Sequence, residues 1–196
     1  MKINKLLEFL KFSLQFRQTQ RAIYAVGENR MENDVEHSYQ LTILTWYVIE
    51  SEKLKLDSNL AIKYALIHDL EEAITGDKPI FDKKSRSGKE NQEKLAYEII
   101  SKMFPDWKEY KKLSTNYKNK KDEESKLVNG LDKILPVLNI YIDGGRIWKT
   151  EDTTLKTLSE NKKEKVAIHP FSKRMWIDIE KKLQAKELEL FGKLSK

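Results

Sequence analysis

The chain has 196 residues, 39% hydrophobic and 35% charged, with a formal net charge of +6 and no cysteine. This composition excludes disulfide scaffolds and thiolate metal sites, and it matches neither a disordered chain nor a membrane protein. With seven glycines and four prolines in the whole chain, long helices are expected rather than many short strands.

Residues 1–17 read as a first amphipathic helix, with Leu6, Leu7, Leu10 and Leu14 at helical spacing and expected against the core. Glu8 and Lys11 interrupt it, so it is neither a signal-peptide core nor a membrane span. No other stretch approaches the roughly 20 apolar residues that a bilayer requires. A cytoplasmic protein is expected, and the absence of cysteine fits a reducing compartment. Residues 18–36 read as polar and irregular. A second helix is expected from about Glu36 to Lys53, with His37, Leu41, Leu44 and Val48 on one face. A third starts after an Asp57 or Ser58 cap, carries Ala61, Tyr64, Ala65, His68 and Glu72 on one face, and ends at Gly76. Residues 77–88 form a polar loop, and a helix over 89–103 stops before Pro105. Residues 106–121 are lysine-rich with aromatics between them. A long helix is expected from Asp122 to Ile142, with Pro136 inside it and Gly144-Gly145 ending it. Residues 149–170 read as a charged surface excursion, and a last helix spans 172–191. No strand alternation stands out. The fold class is all-α, one domain over 1–196.

Only three histidines occur, His37, His68 and His169. The first two lie on core-facing stripes. His68 is followed by Asp69, Glu71, Glu72 and Asp77. Buried acids are costly without neutralisation, and a divalent metal supplies it. Imidazole with carboxylate suits Mn, Fe, Co, Ni or Zn, and Mg is possible. The same spacing also fits a buried structural histidine beside solvated helix-end acids, and the pattern alone does not separate the two.

The stretch Ile67 to Pro79, IHDLEEAITGDKP, resembles the signature of HD-domain phosphohydrolases, and more narrowly the 5'-deoxynucleotidase branch with its H-D-x-x-E-x-x-x-G-D-x-P. Arg30 to His37 (RMENDVEH) and Glu124 to Lys133 (ESKLVNGLDK) resemble two further segments of that branch. The match covers about residues 14–145, leaving 146–196 as a C-terminal charged excursion and helix. The resemblance implies a compact helical bundle, often a homodimer. It implies His37, His68, Asp69 and Asp132 as ligands of one divalent transition metal, Glu72 as the proton-transfer residue, and Asp77 as an aid in placing phosphate or water. Arg21, Arg30 and Lys78 are the candidate substrate contacts. The implied reaction removes phosphate from (deoxy)nucleoside 5'-monophosphates. The branch carries an Arg-Trp pair near the end of the first helix, the tryptophan crowding the sugar. Here the nearest match is Arg21-Ala22, one residue out of register, and an alanine would leave room for a 2'-hydroxyl. Arg17 is an alternative for the arginine.

His169 reads as a surface residue, and Trp46, Trp148 and Trp176 as core residues. The segment from Trp107 to Lys121 mixes lysines with aromatics, as single-strand nucleic-acid binders do, but a solvated face with aromatics turned inward is the commoner arrangement. The leading function is a nucleotidase with a small-molecule substrate and no nucleic-acid or membrane partner. The rivals are a nucleoside triphosphohydrolase or pyrophosphohydrolase on the same scaffold and, more distantly, a single-strand nucleic-acid binder or nuclease.

Overall fold

Of the two apolar faces that the first helix could bury, the phenylalanine face wins. In the computed structural model, which describes residues 2–76 and 89–194, α1 (Ile3–Gln18) buries Phe12 and Phe16 and packs Phe9 against the core. Leu6, Leu7, Leu10 and Leu14, expected inside, are 37% to 55% exposed. Aromatic rings bury more area per position than leucines, and Phe9 and Phe12 stack edge-on and tilted against Phe104.

The segment read as irregular contains a short antiparallel ribbon, β1 (Gln20–Tyr24) paired with β2 (Met31–Asn33). Five and three residues, half of them polar, give too little alternation to be seen in the sequence. Gly27 turns the ribbon at φ +77, a value open to glycine at little cost. Arg146 pins the tip: its guanidinium lies 3.9 Å from the Tyr24 ring centroid and donates to Asn29 Oδ1.

The chain then enters α2 (Asp34–Ser51) through a capping box, in which Asn33 Oδ1 accepts from Val35 and Glu36 N–H groups and Glu36 accepts from Asn33 N–H. α3 (Ser58–Ile67) starts, as expected, with Asp57 as its cap. It stops at Ile67 instead of running on to Gly76, and a separate turn of helix, α4 (Glu72–Thr75), follows and ends at Gly76. α5 (Lys89–Met103) and α6 (Lys108–Lys118) come next. In α6 Tyr110 and Tyr117 are buried, so its aromatics do turn inward.

α7 (Glu123–Ile142) crosses the middle of the molecule, capped by Asp122. Its Leu127, Val128 and Leu131 join a first core with α1, α2, α3 and α6. Its Ile134, Val137 and Ile140 join a second core with the C-terminal helices. Those are α8 (Arg146–Thr150), α9 (Leu155–Val166), α10 (Pro170–Ala185) and α11 (Glu187–Phe191). The region read as a surface excursion is therefore structured. Leu155, Leu158 and Val166 form a helical stripe whose middle position is Lys162, itself buried. A lysine stem fills an apolar site while reading as a surface residue in the sequence. The final helix also differs from expectation, starting at Pro170 and breaking at Lys186. His169 is buried, and its Nδ1 accepts from Phe171 N–H as the cap of α10. Trp148 and Trp176 are in the core, as expected, but Trp46 is 51% exposed. No described helix is long and apolar enough to cross a membrane.

Candidate metal centre

The α3 break places the chemistry. His68 Nδ1 lies 2.9 Å from Ala65 O, occupying the carbonyl that Asp69 N–H would use in a continuing helix. The backbone tightens to i−3 bonds, Leu70 N–H to Ile67 O and Glu72 N–H to Asp69 O. Asp69 Oδ2 then lies 2.9 Å from His68 Nε2. From α2, fully buried His37 brings Nε2 to 3.1 Å from Asp132 Oδ1. From α7, the same Asp132 oxygen lies 3.7 Å from His68 Nε2. Ligand-type atoms of His37, His68, Asp69 and Asp132 all lie within 4.8 Å of one another. Segments nearly a hundred residues apart thus converge on one point.

The orientation of His68 tests whether a cation suits that point. With Nδ1–H donating to Ala65 O, the Nε2 lone pair faces Asp69 and Asp132. Nε2 is buried and makes no well-formed hydrogen bond. A lone pair aimed at two carboxylates is repelled unless a cation stands between them. Titration carries the same message. Burial pulls the His68 pKa down, yet the charges of Asp69 and Asp132 outweigh burial and lift it to about 10. Burial also pushes Asp69 up, and His68 and Arg21 hold it below the usual carboxylate range. Asp132 is likewise held low against burial, by Lys133, His37 and His68. The cluster of carboxylates thus favours positive charge at Nε2, and the four side chains fit a divalent ion.

A shell of polar residues holds the ligands. Glu32, 3% exposed, has Oε1 at 3.4 Å from His37 Nδ1 and from Arg21 Nε, and its Oε2 accepts from Asn139. Arg21 Nη1 bridges Asp34 Oδ1 at 3.1 Å and Asp69 Oδ2 at 3.2 Å. Sequence reading missed Glu32 and did not give Asp34 a role, because the ribbon that aims them at the site was invisible. Of the two candidate arginines it is Arg21 that reaches the cluster, where its described contacts are carboxylates, and Arg17 is exposed on α1. Neighbouring strand residues face opposite ways, so with Arg21 turned inward Ala22 points away and is exposed. No sugar discrimination can be read from Ala22. Glu72 is buried, with its carboxylate within 4.8 Å of those of Asp34 and Asp69. It reaches the site from α4 rather than from the same helix as His68. Arg30 does not join: it is exposed, pairs with Glu28 and Glu36, and is driven further up its own pKa range by them. Asp77 and Lys78 lie outside the described residues.

One side of the cluster opens into a cleft of about 690 Å³ between α5, α6 and α7. Asn129, Asp132 and Lys133 line it from α7, at the i, i+3, i+4 spacing that puts side chains on one helix face. Lys133 pairs with Asp132. Tyr117, buried, lines the cleft with its ring centroid 6.1 Å from His68. Burial and the nearby Asp132 and Asp69 charges push its hydroxyl well above its ordinary pKa, so it stays a neutral phenol.

A model of the HD domain family matches residues 14–176, extending past the 14–145 expected from motifs and into α10. A protein of Xenopus laevis named 5'-deoxynucleotidase HDDC2 is 30% identical over 144 residues, covering 68% of this chain and 66% of that protein. The human protein of that name is 28% identical over 136 residues, covering 68% and 65%. The chain thus spans just under two thirds of the length of these two relatives. Among solved structures, a predicted metal-dependent phosphohydrolase from Magnetospirillum magnetotacticum superposes with a TM-score of 0.74 at 21% identity, over 91% of this chain and 94% of that one. The PH0347 protein from Pyrococcus horikoshii gives 0.64 at 24% identity, over 92% and 97%.

Proposed function

The chain belongs to the HD domain family, and from that premise we propose that it is a metal-dependent phosphohydrolase that removes phosphate from (deoxy)nucleoside 5'-monophosphates. The observation that carries the proposal is the His68 Nε2 atom held toward two carboxylates at the mouth of a cleft. The relatives named 5'-deoxynucleotidase support the choice of substrate. A cleft that opens on the ligand cluster, with the α6 aromatics turned inward, favours a small molecule over a nucleic-acid strand.

His37, His68, Asp69 and Asp132 would hold one divalent transition ion. When bound, that ion supplies a water of lowered pKa and a Lewis acid for a phosphate oxygen. Glu72 takes the proton of the attacking water and passes it to the 5'-oxygen as the phosphorus–oxygen bond breaks, giving orthophosphate and a nucleoside. Arg21 fixes the Asp69 carboxylate through the shared Nη1 contact. Lys133, beside Asp132 at the cleft wall, offers its remaining N–H groups to phosphate. The exposed stripes Leu6, Leu7, Leu10 and Leu14 on α1 and Tyr39, Ile43, Trp46 and Tyr47 on α2 support a homodimer through these packed helices.

The test is orthophosphate release after stripping the protein and reloading it with Mn, Co, Ni, Zn or Mg, across ribo- and deoxyribonucleoside mono- and triphosphates. Metal-dependent release from monophosphates is expected. Turnover of triphosphates alone would replace this reading with a triphosphohydrolase. Full metal content in His68→Ala would refute the ligand set.

A further inference from the structure

Glu71 sits two residues after Asp69 and has no part in the chemistry above, yet it is 3% exposed. Burying a carboxylate is tolerated only with full hydrogen bonding. All of its described donors come from one face of α6. Tyr110 Oη, Ser114 Oγ and Lys118 Nζ lie 3.1, 2.7 and 3.2 Å from the same oxygen, Oε1. They occupy positions i, i+4 and i+8 of that helix. Lys118 is therefore no free surface lysine. Its ammonium is fixed between Glu71 and the Tyr97 ring of α5, 5.9 Å from the ring centroid, and it lines the cleft that holds His68, Asp69 and Asp132.

Two lysines thus line one cleft from two helices, Lys118 from α6 and Lys133 from α7. Lys133, beside Asp132, belongs to the reacting phosphate. Lys118 stands beside Glu71 and not among the four ligands, so with the phosphate at Lys133 it is the donor placed to meet what extends beyond the phosphate, which for a nucleotide is the nucleoside. Glu71 balances its charge, whereas the Asp132 beside Lys133 would share its own with the ion, so Lys118 offers hydrogen-bond donors rather than net positive charge. That suits a neutral carbonyl oxygen better than a second phosphate. An ammonium has donors only, so the exocyclic amine of adenine or cytosine would meet donor with donor, whereas the carbonyl of guanine, hypoxanthine, thymine or uracil is matched.

We propose that Lys118, anchored by Glu71, is a specificity residue that makes the cleft prefer nucleotides with a keto base. The proposal rests on the nucleotide reading of the cleft and goes beyond it.

The cleanest probe pair differs at one position of the base. The non-hydrolysable 5'-phosphonates of deoxyinosine and deoxyadenosine carry a carbonyl and an amine respectively at that position. Calorimetric titration of the metal-loaded full chain is expected to show the deoxyinosine analogue binding roughly tenfold tighter, the span of one good polar contact to a base. Lys118→Met should bring the ratio to about one, and Lys118→Arg, which keeps the donors, should preserve a preference. Equal affinities in the unaltered protein, no binding of either analogue, or a preference that survives Lys118→Met would overturn the proposal. So would a 3',5'-bisphosphate analogue that outbinds the keto monophosphonate through Lys118, since that would assign the lysine to an anion. Because phosphonates are not turned over, absent orthophosphate release with an intact keto preference would defeat the hydrolase reading alone.

Discussion

Two residues before Asp132, α7 passes so close to α10 that no side chain fits between them. A Cβ placed on Gly130 would lie 2.5 Å from Ser172 Cβ and closer still to its Oγ. Ser172 cannot simply turn aside, because it is fully buried and its hydroxyl donates to the carbonyls of Val166 and His169. Gly130→Ala has two opposing effects. Alanine favours the helix by about 1 kcal/mol, while overpacking of this kind costs about 1–3 kcal/mol and more where the neighbour is pinned. The net expectation is a loss of about 1–2 kcal/mol, or a fall of roughly 2–8 °C in melting temperature for a chain of this size. Removing the obstacle reverses the sign. In a Ser172→Gly background the same Gly130→Ala change should stabilise by up to ~1 kcal/mol, since only the helix preference remains. Urea denaturation of the four proteins in this cycle measures both effects. Gly130→Ala with unchanged stability, or equally destabilising in both backgrounds, would refute the close approach as the reason for this glycine.

Glu72→Gln is expected to keep its metal, by elemental analysis, and to lose about two to four orders of magnitude in turnover, the usual span for a proton-transfer group; undiminished turnover would remove Glu72 from the mechanism. Lys162 predicts a pH effect on stability. Burial, with Lys133 nearby, lowers its pKa from 10.5 to about 7. Below about pH 7 both folded and unfolded chains carry the proton and the full penalty of burying the charge is present. Between there and 10.5 the unfolded chain holds more protons, so this group makes stability rise with pH, by up to ~1.4 kcal/mol per unit. Lys162→Met should therefore stabilise most near pH 7, with the gain shrinking toward pH 9. Parallel urea curves for the two proteins across that range would show that Lys162 is not buried as a charge-bearing group.

What the sequence revealed of the site was what lies in short contiguous segments. His37, His68, Asp69 and Asp132 each stand inside a motif whose spacing is local, and the structure brings all four together. Arg21, Asp34 and Glu32 meet through a ribbon of eight residues, and nothing in its composition announces a strand. The break after Ile67 arises from a histidine side chain competing for its own helix's carbonyl, which helical periodicity does not encode. Lys162 hid α9 because the sequence registers its charge while the fold uses its methylenes. In α1 both faces were apolar and spacing could not rank them; ring size did.

Pro136 and Lys162 tie the rear of the molecule to its front. Proline has no N–H to give the carbonyl one turn back, that of Asp132, and its ring crowds the neighbouring ones; Lys162 Nζ donates to the Lys133 carbonyl at this weakened turn, from the second core. α7 is thus a wall common to two rooms, and neither can be emptied alone. Opening of α9 and α10 must loosen the turn that carries Asp132, so these helices share one cooperative unit with the ligands. An ion gripping Asp132 would slow amide exchange along helices that supply none of the four ligands, and the C-terminal third, far from an appendage, would register whether the centre is filled.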